Sequence, residues 1–129
     1  MASVFTKIIG GEIPSYKVHE NEKFFAFLDI SPLKAGHTLV VPKEEIDYIF
    51  DMPNDLLSEI LVFSKEVARK IEAVIECERI GVSVIGLEVP HAHVHLIPMN
   101  SVSDMNFAKP KLELDSDYMM DLAEKIRQA

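Results

Sequence analysis

Three histidines at every second residue of one short segment, His91-Ala92-His93-Val94-His95, restrict the fold more than any other feature of this chain. On a strand, side chains at i, i+2 and i+4 project from one face. His91, His93 and His95 then share a face, and Ala92, Val94 and Leu96 turn to the other, where they can pack under a helix. A strand built only for packing needs no such row, because histidine is normally exposed or intermediate in burial. The segment therefore reads as a strand that carries a chemical site. Crowded imidazoles resist taking up several protons at once. At neutral pH such a cluster offers neutral imidazole for attack and a proton for a leaving group, which suits phosphorus chemistry through a covalent phospho-imidazole. The same spacing, joined by the distant His37, also suits imidazoles around a hydrolytic zinc. On spacing alone the two readings stand level.

The rest of the pattern predicts a single domain over residues 1–129. Residues 5–9 form one helical turn stopped by Gly10-Gly11. Strands are expected over 16–20, 23–28, 37–41, 82–87 and 91–98, with Asn21-Glu22 as a tight hairpin connection. In the second of these, Phe25 and Phe27 give one strongly aromatic face. Residues 44–50 suggest a short helix. The clearest element is a helix over 53–77, where Leu57, Ile60, Leu61, Ser64, Val67, Ala68, Ile71, Val74 and Ile75 form one apolar stripe. Leu56, Phe63 and Ala73 fall outside that stripe, available to a partner, and Gly81 is expected to stop the helix. Ser116 is placed as the cap of a last helix. The result is an α+β fold: a five-stranded, mostly antiparallel sheet, one long helix, and short N- and C-terminal helices.

Charge narrows the partners. The chain carries 13 basic and 21 acidic residues, a net charge of −8, with no basic run. A nucleic-acid partner is not expected, since phosphate neutralisation supplies much of that affinity. Any anionic ligand must be held by local donors against the overall field. The one cysteine, Cys77, cannot make an intrachain disulfide, which fits a reducing compartment. With no signal-peptide or transmembrane pattern in the sequence, a cytoplasmic location without membrane association is expected.

The segment His91-Ala92-His93-Val94-His95-Leu96-Ile97 matches the H-φ-H-φ-H-φ-φ signature, φ being apolar, and the chain resembles the histidine-triad (HIT) family. Three further segments resemble its Hint-type branch, in order: Lys7-Ile8-Ile9-Gly10-Gly11-Glu12-Ile13-Pro14, Phe25-Ala26-Phe27-Leu28-Asp29-Ile30-Ser31-Pro32 and Gly36-His37-Thr38-Leu39-Val40-Val41-Pro42-Lys43. The resemblance implies a HIT-like fold and a homodimer whose two sheets run into each other. It implies a nucleotide hydrolase or transferase that cleaves a nucleoside phosphoramidate or dinucleotide polyphosphate. It matches His93 to the nucleophile that forms a nucleotidyl-histidine intermediate, His95 to the contact with phosphate and leaving group, and His91 and His37 to supporting histidines. Asp29 matches the acid that accepts from the ribose hydroxyls. Phe5, Ile8, Phe27 and Ile30 match the apolar slot for a purine base, and Glu88 and Val89 lead into the triad beside the nucleotide. No cofactor is implied. His19 matches nothing and is expected at a strand end in solvent. The alternatives are a nucleotide-binding module without catalysis and a histidine-ligated zinc hydrolase.

Three departures from the resembled pattern matter. Relatives that bind structural zinc use a Cys-x-x-Cys pair and a histidine where this chain has Ser3, Thr6 and Glu45. Hydroxyls are poor zinc ligands beside thiolates, so no structural metal is expected. The usual Gly-Gln-(Ser/Thr)-Val before the triad reads Gly86-Leu87-Glu88-Val89, which removes a donor and adds a carboxylate. No asparagine occurs in residues 80–90 to position the phosphate, which leaves Asn100 and Ser101 as substitutes.

Overall fold

The computed structural model describes residues 2–129. In chain order it has α1 (Val4–Ile9), β1 (Lys17–Glu20), β2 (Phe24–Leu28), β3 (Thr38–Pro42), α2 (Asn54–Val74), β4 (Arg79–Ser83), β5 (Val94–Met99) and α3 (Ser116–Gln128). The strands form one antiparallel sheet in the order β1-β2-β3-β5-β4. The α+β architecture expected from the sequence is therefore present.

Period-two alternation explains how this sheet supports two packed layers. Phe24, Ala26, Leu28, Val40, Val94 and Leu96 turn to the face covered by α2 and α3, where Ile60, Phe63, Val67, Ile71, Leu122 and Ile126 meet them. Phe25, Phe27, Leu39 and Val41 turn the opposite way and pack with Phe5 of α1. Every residue of β2 and β3 is buried as a result. The second layer is thin, one helical turn and a few loops, and the cavity lies there.

Several local expectations change. The 44–50 segment has only a 3-10 turn at Ile49–Asp51. Its first part is drawn into tertiary hydrogen bonds instead: the Ile46 carbonyl accepts from Ala92 N–H, and Glu45 reaches Ser3 and Thr6. The long helix spans Asn54–Val74 and its stripe is rotated: Leu56 and Phe63 are buried core residues, whereas Leu61 is exposed. The sheet accounts for this at Phe63, whose ring packs on His19 of β1 and Phe24 of β2 at 5.0 and 5.4 Å. Gly81 lies within β4 opposite Ile97 and stops nothing. A β-carbon there would collide with the side chains of Met99 and Met105. The fourth strand is Arg79–Ser83 rather than 82–87, and residues 84–93 form a loop against the site. Asp115, not Ser116, caps α3 by accepting from the Asp117 N–H. His19 is half-buried, with its ring stacked 5.0 Å from that of Phe63, rather than simply solvated.

Candidate active site

A cavity of about 510 Å³ opens on the Phe25 and Phe27 face of the sheet, within the range that holds a small organic ligand. Its apolar side is formed by Phe5, Ile8, Phe27, Leu39 and Val89, with Ile30 on its rim. Its polar side carries Asp29, Glu88, His93 and His95. The ladder of β5 begins at Val94, so His95 alone of the triad lies on the paired strand; His91 and His93 belong to the loop that feeds it. The alternation still holds. Ala92, Val94 and Leu96 join the main core, and the His93 and His95 rings pack edge to face on the other side at 4.9 Å.

The hydrogen bonds fix where the ring protons sit, since an amide N–H can only donate and a carbonyl can only accept. Leu33 N–H donates to His37 Nδ1 at 3.0 Å, so the neutral His37 ring carries its proton on Nε2. That Nε2–H faces His95 Nδ1 at 3.0 Å and donates to it. His95 must then carry its own proton on Nε2. His93 is set the opposite way: its Nδ1–H donates to the His91 carbonyl at 2.8 Å, which leaves the neutral ring's lone pair on Nε2. The two cavity-lining histidines thus differ, one presenting a donor and the other a lone pair.

His91 does not line the cavity. It is fully buried, and its Nε2–H donates to the Pro42 carbonyl at 2.8 Å. Its Nδ1 accepts from the Ser3 hydroxyl at 2.7 Å. Ser3 also caps α1 by accepting from Thr6 N–H, and both the Ser3 N–H and the Thr6 hydroxyl donate to Glu45 Oε1, at 2.7 and 2.6 Å. The Ser3 N–H first, then the Thr6 hydroxyl, hold the Glu45 carboxyl below its ordinary range. Ser3, Thr6, Glu45 and His91 therefore satisfy one another. Two hydroxyls and a carboxylate in this arrangement do not fit a structural zinc, which prefers thiolates and imidazoles.

Asp29, His37 and His95 place potential ligand atoms within 4.8 Å of one another. A metal would need the lone pair of His37 Nε2, but that nitrogen holds the ring proton because Nδ1 accepts from Leu33. The donor set does not fit a zinc hydrolase. Asp29 Oδ2 lies 3.6 Å from His37 Nε2, too far for a hydrogen bond, and Asp29 Oδ1 accepts from Ser31 N–H at 2.8 Å. Burial raises the Asp29 carboxyl above its usual pKa.

Burial also lowers the histidines. His37 is pushed down to about 3, by burial first and then by His95, and His95 to about 4, by burial and then by His93. His91 shifts down too, chiefly by burial. Unfolded histidines titrate near pH 6.5. Below that pH the unfolded chain binds more protons than the folded one, so acidification favours unfolding. His37 and His95 should each cost about 1 kcal/mol per pH unit on the way down. Calorimetric scans are expected to show Tm falling steadily from pH 6.5 to 5; a flat Tm across that interval would mean the rings are charged in the fold.

Of the residues expected at the site, His93, His95, Asp29, Ile30, Phe5, Ile8, Phe27, Glu88 and Val89 line the cavity, and His37 stands behind His95. Asn100 and Ser101 do not reach it: Asn100 accepts from Glu78 N–H, and Ser101 begins the 3-10 turn Val102–Met105. Phe107 and Lys111 on the cavity wall were not legible in the sequence. Phe107 packs edge to face on His95 at 4.8 Å. Both belong to the irregular stretch before α3, where no periodicity marks a side chain as inward.

An antiparallel sheet backed by two helices, with His93 and His95 beside an apolar cavity on its other face, defines an α+β histidine site. The HIT domain family model matches residues 10–102, and the chain belongs to that family. It is 34% identical over 128 residues to the adenosine 5'-monophosphoramidase HNT1 of Saccharomyces cerevisiae, covering 97% of this chain and 80% of that one. The structure of a HIT-like protein from Bartonella henselae superposes with a TM-score of 0.83 at 27% identity, covering 98% of this chain and 94% of the other. A zinc-bound histidine-triad protein from Mycobacterium smegmatis gives 0.81 at 25% identity, covering 99% and 92%. No described helix is long and apolar enough to cross a membrane.

Proposed function

We propose that this protein hydrolyses a nucleoside phosphoramidate or a dinucleotide polyphosphate through a nucleotidyl-histidine intermediate. The observation that carries the reading is the opposed protonation of His93 and His95 on one cavity wall. The relative named as an adenosine 5'-monophosphoramidase supports the phosphoramidate side. In this reading the base lies among Phe5, Ile8, Phe27, Ile30 and Val89, and Asp29 accepts from the ribose hydroxyls. The His93 Nε2 lone pair forms a bond to phosphorus as the bond to the leaving group breaks. Positive charge developing on the ring is met by the His91 carbonyl on Nδ1–H. His95 Nε2–H donates a hydrogen bond to the departing atom, which takes up a proton from solvent as it leaves; the water of the second step returns one proton to solvent. Water then attacks phosphorus, breaks the bond to Nε2 and releases a nucleoside monophosphate. Glu88, exposed on the wall, suits an amine leaving group, whose N–H bonds a carboxylate accepts. Intact-mass analysis of His95→Ala mixed with adenosine phosphoramidate should reveal a nucleotidyl adduct on His93; its absence under slow turnover would count against the mechanism.

The same reading includes a homodimer. β4 is an edge strand, and Val82, Val84, Ile85 and Leu87 on it and just beyond are exposed apolar residues. An open edge beside an apolar patch suits pairing with a second copy. Light scattering should give twice the chain mass; a monomer at high micromolar concentration would remove this part.

A further inference from the structure

We propose that Lys111 is the phosphate-holding cation of this site, an assignment that rests on the nucleotide reading above. The argument begins from charge. An anionic ligand entering a chain of net charge −8 meets two carboxylates, Asp29 and Glu88, on the cavity wall. Among the described residues of that wall, Lys111 is the one lysine or arginine. The loop leading into the histidines offers no cation, since Leu87 is apolar and Glu88 anionic.

Its placement suits the task. Lys111 Nζ donates to the Phe107 carbonyl at 2.6 Å and to the Lys109 carbonyl at 3.3 Å. It lies 5.9 Å from the centre of the Phe107 ring, and that ring packs on His95. An ammonium has three N–H donors, so one remains after the two carbonyls are served. The next residue anchors the segment: Leu112 N–H donates to the Pro32 carbonyl at 2.8 Å, in the turn that follows Asp29. The ammonium is thus held on the His95 side of the cavity by its own loop, with one donor left for a phosphate oxygen. Its charge offsets part of the rise that burial causes in Asp29, and adds to the lowering that burial and then His95 cause in His37. A compact, exposed point charge of this kind gives salt-sensitive binding.

Calorimetry on the full chain tests the assignment with two probes, AMP and adenosine. Lys111→Met should weaken AMP about tenfold, the scale of one charge-assisted hydrogen bond, and leave adenosine unchanged. The loss should shrink at high salt, and Lys111→Arg should recover most of it. Equal AMP affinity in Lys111→Met and the wild type would overturn the proposal. So would an equal loss for AMP and adenosine, which would make Lys111 a tether for its loop and nothing more. A wild-type protein that binds neither probe would instead remove the nucleotide reading itself, and this assignment with it.

Discussion

Replacing His93 with alanine is expected to reduce turnover of adenosine phosphoramidate by about a thousandfold or more while the fold persists. The magnitude follows from removing a covalent nucleophile whose alternatives are poor. His95 cannot take over, because its Nδ1 is committed to His37 and its Nε2 holds a proton. His91 cannot either, since it is buried between Ser3 and the Pro42 carbonyl. Stability should change little by comparison. The His93 ring packs against Phe5, at 5.0 Å between ring centres, but it stands on the wall of the cavity, where water can take its place. Steady-state kinetics and a thermal melt on one preparation check both halves. Turnover within tenfold of the wild type would show that another group attacks, and the opposed protonation of the two rings would then have another meaning.

The fold was legible wherever pattern and packing obey the same period. The run Phe24 to Leu28 alternates between two cores, and its alternation could be read directly. The long helix was legible as an element but not in phase. Helical spacing alone could not rank Phe63 above Leu61, because that choice depends on His19 and Phe24, about forty residues earlier on the sheet that the helix covers. Gly81 misled for a related reason. Glycine after an apolar helix commonly ends it, yet here its missing side chain makes room for Met99 and Met105 across β4.

The site was legible where chemistry demands a residue type. Three imidazoles on one face and an aspartate after an aromatic strand have few structural uses. Cooperation among residues distant in sequence was not legible. Ser3, Thr6 and Glu45 read as the loss of metal ligands, but their hydrogen bonds to one another and to His91 form only when α1 folds back onto the loop after β3. Clasped in this way, His91 presents its carbonyl to His93. The carbonyl rather than the imidazole is the group that touches the proposed nucleophile, and no side-chain pattern announces that.

His37→Leu should damage both stability and turnover, and the two losses have separate causes. Leucine is apolar and can fill much of the space of the buried ring, so the cavity left behind is small. The hydrogen bonds are not replaced. Leu33 N–H, which donates to His37 Nδ1, is left without its acceptor at a cost of about 2 kcal/mol. His95 Nδ1 loses its donor, and the ring is then free to place its proton on either nitrogen or to turn. Part of the population would present a lone pair where the leaving group needs a donor, and turnover should fall about a hundredfold. Nitrogen-15 spectra of the imidazoles separate the two effects. In the wild type His95 should appear as the neutral ring with its proton on Nε2 down to about pH 5, since its titration lies near 4. In His37→Leu the same signal should move toward a mixture of tautomers. A wild-type His95 protonated on Nδ1 would break the relay from Leu33 through His37, and with it the physical basis for assigning His95 the donor's part.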